Sequence, residues 1–160
     1  MKPHPTVVTL AVTLVSTPAW AGTILLDQSY DAFADGATGG GSIIASQSNA
    51  QTFTVGLGGT LAQLGVQVQQ SNLLTTGDLV ITFLGVDSGG IPDIAQNLGN
   101  ISVPPSQVPP LDFSNVVFSV FDVSSLGISV APGDVLAFEL SYAGTDEGAC
   151  FGFDFDNLVA

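Results

Sequence analysis

The 160-residue chain is nearly devoid of cationic side chains: one lysine or arginine and one histidine stand against 14 aspartates and glutamates, a formal charge of −13. It also has a single cysteine, a single tryptophan and a single methionine. All of these except the cysteine fall at the start, as Met1, Lys2, His4 and Trp20. Residues 1–21 have the layout of a secretory signal peptide. MKPHP is charged, TVVTLAVTLVS is an apolar stretch too short for a membrane span, and Ala19-Trp20-Ala21 is a small-x-small cleavage triplet. The expectation is an exported protein, secreted, at the outer cell surface or in the periplasm, cut after Ala21.

Beyond that point each absence excludes a chemistry. Residues 22–160 contain no lysine, arginine or histidine. Ser-His-Asp, Cys-His and Ser-Lys nucleophiles are therefore ruled out there, as are zinc sites built on histidine and cysteine and phosphate cradles that need a lysine. An uncompensated acidic field repels phosphate backbones, which argues against nucleic acid as a partner. Cys150 cannot form an internal disulfide, and its setting ACFGF reads as a small packed hydrophobe. The chain is expected not to be an enzyme, with paired-carboxylate glycoside hydrolysis the one reaction the composition leaves open.

What is present is β-sheet patterning. With 46% hydrophobic and 9% charged residues, the chain can bury enough apolar surface to offset ordering entropy. Phe53 and Val55 alternate with Thr52 and Thr54, and Leu64, Val66 and Val68 with Gln63, Gln67 and Gln69. Leu136, Phe138, Leu140 and Tyr142 share one parity, as do Phe151, Phe153 and Phe155. A period of two marks half-buried antiparallel strands. DLVITFLGV and NVVFSVFDV are apolar at both parities, which suits central strands. GLGGT, VDSGGIPD, VPPSQVPP, VAPGD and AGTDEG punctuate these runs, and the prolines at 104, 105, 109 and 110 predict an extended crossover. DAFADGATGGGS reads as a loop. The expected fold is all-β: a two-sheet antiparallel sandwich, jelly-roll-like, of about seven to nine strands. It occupies residues 22–160 as a single domain, with early strands in 42–56 and 60–70 and late strands in 134–156.

The strings AQTFTVGLGGTLAQLGVQVQ, TGDLVITFLGVDSGGIPD and VSSLGISVAPGDVLAFELSY resemble a β-sandwich domain of bacterial secreted proteins, many of which end in a PEP-CTERM sorting tail. The likeness spans roughly residues 46–156. It implies an extracytoplasmic sandwich, similar in architecture to carbohydrate-binding jelly rolls, with no assigned activity in most members. This sequence ends in DFDNLVA without a Pro-Glu-Pro motif, an apolar tail or terminal arginines. It therefore reads either as released without anchoring or as part of a longer chain.

Two candidate sites follow from the residues. Asp154 and Asp156, two apart on a strand, with Asp146 and Glu147 in the preceding loop and Asn157 beside them, supply the oxygen donors that Ca²⁺ requires. Asp87 and Asp93 in VDSGGIPD form a weaker second cluster that also suits a plain turn. Gln63, Gln67 and Gln69, with Gly65 leaving a gap between the first two, form an amide row of the kind that meets sugar hydroxyls, or else a solvated outer face. Three functions are consistent with this reading. The first is a secreted or cell-surface structural or interaction module, associating with extracellular matrix. The second is an extracellular polysaccharide-binding module assisted by calcium. The third is a carboxylate hydrolase.

Overall fold

Alternation becomes strand wherever the backbone can pair, and in a computed structural model of the chain the alternating runs assemble into antiparallel sheets. The structure describes residues 24–27, 29–31, 40–70, 76–111, 118–145 and 151–159, of which 29–31, 40–41 and 151–159 are described through their backbone alone. The strands are β1 (Ser29–Asp31), β2 (Gly40–Ile43), β3 (Asn49–Thr54), β4 (Gly59–Thr60), β5 (Gln63–Gln70) and β6 (Leu79–Val86). They continue with β7 (Pro92–Val103), β8 (Ser119–Asp122), β9 (Ser129–Val130), β10 (Val135–Tyr142) and β11 (Phe151–Val159). One five-stranded sheet runs β1-β11-β5-β8, with β2 also on β11. A four-stranded sheet runs β3-β10-β6-β7, and β4 pairs with β9 as a separate ribbon. Among the described residues no helix is long and apolar enough to cross a membrane. The proposed leader, residues 1–21, lies outside the described residues, as do most of the loop at 31–42 and Cys150.

The two sheets close on one apolar core, as a sandwich must. From the five-stranded sheet come Ile43, Leu64, Val66, Val68 and Phe121; from the other come Phe53, Leu79, Ile81, Phe83, Phe138, Leu140 and Tyr142. β6 and β10 hold inner positions in their sheet, in register from Tyr142↔Leu79 to Ala137↔Leu84. Leu84 and Ala137 are buried at the second parity too, and in β6 this accounts for DLVITFLGV being apolar at both parities. NVVFSVFDV behaves otherwise. Its described part, 118–123, holds the four-residue edge strand β8, where Phe121 enters the core and Val120 faces out.

The turns follow from their residues. In VAPGD, Asp134 N–H donates to Ala131 O at 3.1 Å, Pro132 occupies the second position and Gly133 the third with φ 92°. That is the arrangement of a type II turn, in which the third position excludes a side chain on steric grounds. The Asp134 carboxylate then accepts from Ala131 N–H at 2.8 Å and closes the turn on itself. In VDSGGIPD, Asp87 Oδ1 accepts from Gly89 N–H at 2.8 Å and Ile91 N–H at 2.9 Å, with Gly90 at φ 77°. The proline crossover is extended at Pro104 and then makes a short 3-10 turn at Pro105–Gln107 that seats Val108 in the core.

Candidate functional site

The outer face of β5 and β8 opens on a groove of about 690 Å³. Its floor follows from the pairing. Gly65 stands opposite Val120 and Gln63 opposite Asp122, at the parity that points away from the core residues Leu64, Val66 and Phe121. With no side chain at Gly65, Val120 flanks a hollow and is 59% exposed. Ile24, Leu25 and Leu26 form one wall and Leu57, Gly58 and Thr60 another. Leu25 is 68% exposed, and Ile24, Leu26 and Leu57 are also largely open to water. Scattered exposed hydrophobics are ordinary, whereas several lining one concavity mark a contact surface.

The walls are held by backbone bonds. Val55 N–H donates to Asp134 O at 2.8 Å and Gly133 N–H to Val55 O at 2.7 Å, tying the chain before Leu57 to the VAPGD turn. A side chain at Gly58 would come within 3.1 Å of Pro132 Cδ, so the loop lies close against that turn. Leu61 N–H donates to Ile128 O and Val123 N–H to Ala62 O, both at 2.9 Å. Asp27 ties the N-terminal segment to this frame, its Oδ2 accepting from Gly56 N–H at 2.9 Å. Its other oxygen, Oδ1, is buried without a hydrogen-bond partner, the one such side-chain atom among the described residues. At the far rim Asp122 Oδ1 accepts from Ser124 Oγ at 2.6 Å and Ser124 N–H at 2.9 Å. Those two bonds hold the Asp122 carboxyl below its ordinary range.

The amide row is divided by the fold. Gln63 is exposed and lines the groove. Gln67 and Gln69 are buried, at 5% and 7% exposure, and both have hydrogen-bond or other polar partners. An open, solvated row of three amides is thus not what forms, because β5 lies between β11 and β8 with both faces covered along most of its length. Sequence patterning did not mark Ile24–Leu26 or Leu57 as groove residues, and it placed Val120 in a run read as a central strand. The N-terminal wall leaves only three consecutive apolar residues before Asp27, outside any alternating run.

Of the calcium candidates, Asp146 and Glu147 lie outside the described residues, and Asp154 and Asp156 are described by backbone alone. Asp154 pairs with Gln67 on β5 and with Gly40 on β2. The β11 ladder then breaks and resumes at Asn157 toward β1 and at Leu158 toward β5. Asp156 therefore falls in a bulged stretch, where the two-residue strand repeat does not fix its relation to Asp154. Among the described residues no three acidic, histidine or cysteine side chains converge. Asp87 serves its own turn, and Asp93 accepts from Ala95 N–H at 3.0 Å and Gln96 Nε2 at 2.9 Å, so local donors engage both carboxylates.

In comparisons with known proteins, no family model matches the chain, and neither does any curated sequence.

Proposed function

We propose that this chain is an exported interaction module of the cell exterior, acting through contact rather than catalysis, with the groove between β5, β8 and the Ile24–Leu26 segment as its contact surface. The observation that carries this reading is the groove itself. Its volume is in the range of small-ligand sites, its walls are preset by backbone hydrogen bonds, and five exposed apolar side chains point to a partner that covers them. Among the described residues the lining contains no aromatic ring, and of the three amides it includes Gln63 alone. A sugar-binding surface relies on a flat aromatic platform and several polar groups at once, so the groove favours an apolar partner over a glycan.

Titration with the neutral dye Nile red tests this. Saturable fluorescence enhancement is expected, weakened in Leu25→Asn and Val120→Asn variants that keep the wild-type melting temperature. A glycan array, run with and without calcium, is expected to retain nothing. Saturable glycan retention abolished by EDTA, with no dye bound, would overturn the reading in favour of a calcium-assisted carbohydrate module.

A further inference from the structure

The groove lining is mostly apolar, with Thr60, Gln63 and Ser124 among its polar members, and its one carboxylate among the described residues is Asp27, with one oxygen satisfied by Gly56 and the other buried and unpartnered. A buried carboxylate oxygen without a donor is costly, and the cost falls if an occupant supplies the donor. Apart from Lys2 and His4 the chain has no basic side chain to offer, whereas its 14 acids give the whole surface a field that draws cations in. A second copy of the same chain brings the same acidic field and is repelled.

We propose that the groove binds an apolar peptide segment carrying one lysine or arginine. The aliphatic residues of that segment would lie on Ile24–Leu26, Leu57 and Val120, and its cationic head would donate to Asp27. Arginine is favoured over lysine, since its guanidinium is more weakly hydrated and loses less on entering an apolar site. This rests on the groove being the contact surface and adds the chemistry of what fills it. A peptide suits the shape as well: the volume accommodates several side chains, and the gap at Gly65 lets a second backbone approach the sheet.

The test uses the dansylated peptide Leu-Leu-Arg-Val-Leu-amide and its counterpart with citrulline, a neutral isostere, in place of arginine, each titrated by dansyl fluorescence at low and high salt. The arginine peptide is expected to bind about tenfold more tightly than the citrulline peptide. Asp27→Asn should erase that preference, since the substituted amide keeps an oxygen that can accept from Gly56 while the charge is gone. Asp93→Asn removes the same charge on β7, outside the groove lining, and should leave the preference intact, which separates a local pairing from general attraction. Equal binding of the two peptides, or a preference that survives Asp27→Asn, overturns the proposal. If Nile red enters the groove but neither peptide does, the peptide occupant is wrong and the contact-surface reading stands; if the dye also fails to bind, both fall. Should Asp27→Asn not fold, Asp27→Glu replaces it: a displaced carboxylate is expected to reduce the arginine preference, and an unchanged ratio counts against the pairing.

Discussion

The side-chain amide of Gln70 donates to Val108 O at 2.8 Å and also to Pro105 O, fastening the end of β5 to the proline crossover that joins the two sheets. The Gln70 backbone takes part too: its N–H donates to Pro109 O at 2.8 Å and its carbonyl accepts from Leu111 N–H at 2.9 Å. Prolines at 104, 105, 109 and 110 offer carbonyls but no N–H; Gln107 N–H and Val108 N–H serve Pro104 O and Pro105 O from within the stretch, while Gln70 supplies donors to Val108 O and Pro109 O. Gln70→Ala is therefore expected to cost about 1–3 kcal/mol, the penalty for leaving the Val108 carbonyl without its side-chain donor. Gln63→Ala on the same strand is exposed and should change stability by no more than about 0.5 kcal/mol. Urea unfolding midpoints of the two variants check the contrast.

A second close fit lies where β10 ends. Gly77 N–H donates to Tyr142 Oη at 3.1 Å, and a Cβ added at Gly77 would sit 2.5 Å from Gly144 N and 2.6 Å from Gly144 Cα. A Cβ on Gly144 would overlap the Tyr142 ring. The obstacle at Gly77 is backbone, which cannot rotate aside as a flexible side chain can. Gly77→Ala and Gly144→Ala should each destabilise by about 1–3 kcal/mol, the usual range for overpacking. Gly89→Ala is the matched control, because a Cβ there meets only the Asp87 carboxylate, at 3.2 Å. Thermal unfolding of the three variants is expected to rank Gly89→Ala as the mildest.

How much of this was legible in the sequence depends on which faces each strand buries. β3, β5, β6 and β10 showed in the sequence because one parity enters the core, as with Leu136, Phe138, Leu140 and Tyr142. β7 did not show, because most of its twelve residues are exposed or half-exposed and Val103 alone is fully buried. NVVFSVFDV was misleading for the opposite reason: Val120 is apolar because it lines the groove rather than because β8 is central. Gln67 and Gln69 look like surface residues by type, and nothing local announces that both faces of β5 are covered. The groove joins residues near 25, 57, 65 and 120, and no sequence period spans such separations.

Among the described residues, two carboxylates held below the ordinary range contribute to the response to acid. Gln96, then Ala95, holds the Asp93 carboxyl below its ordinary value of 3.8, and Ser124, through its hydroxyl and then its N–H, does the same for Asp122. A folded-state pKa below the unfolded one means that the unfolded chain takes up the proton first. The stabilisation is therefore complete above pH 3.8 and is lost as pH falls through the lower folded values. Protonating the remaining acids acts the other way, since it relieves repulsion within a chain that has 14 of them. High salt separates the two effects: at about 1 M the Debye length shrinks to about 3 Å, which suppresses repulsion while leaving hydrogen bonds in place. At that salt concentration, Asp93→Asn and Asp122→Asn should each lose less stability than wild type as pH drops below 3.8. A wild-type slope unchanged in both variants would assign the acid response to other groups.

β7 is the open edge of the four-stranded sheet, and it carries Ile94, 77% exposed, with Ile91 and Leu98 also in water. A long apolar edge is a template for pairing with another chain unless something interrupts it. Here the register with β6 shifts on either side of Leu84, Asp93 accepts from Ala95 N–H, and Asn97 Oδ1 accepts from Gly99 N–H at 2.8 Å. Gly99 itself has φ 140°, a bend that a flat strand does not make. These local bonds draw N–H groups into β7's own turns and twist the edge, which blunts its capacity to pair. Asn97→Ala should therefore promote association, seen as earlier light scattering on heating, and Ile94→Lys should delay it with stability kept within about 0.5 kcal/mol. Phe83→Ala, at the fully buried residue paired with Gly99, should instead cost about 3–5 kcal/mol. If Asn97→Ala scatters no sooner than wild type at equal stability, the side-chain bond is not what keeps this edge apart.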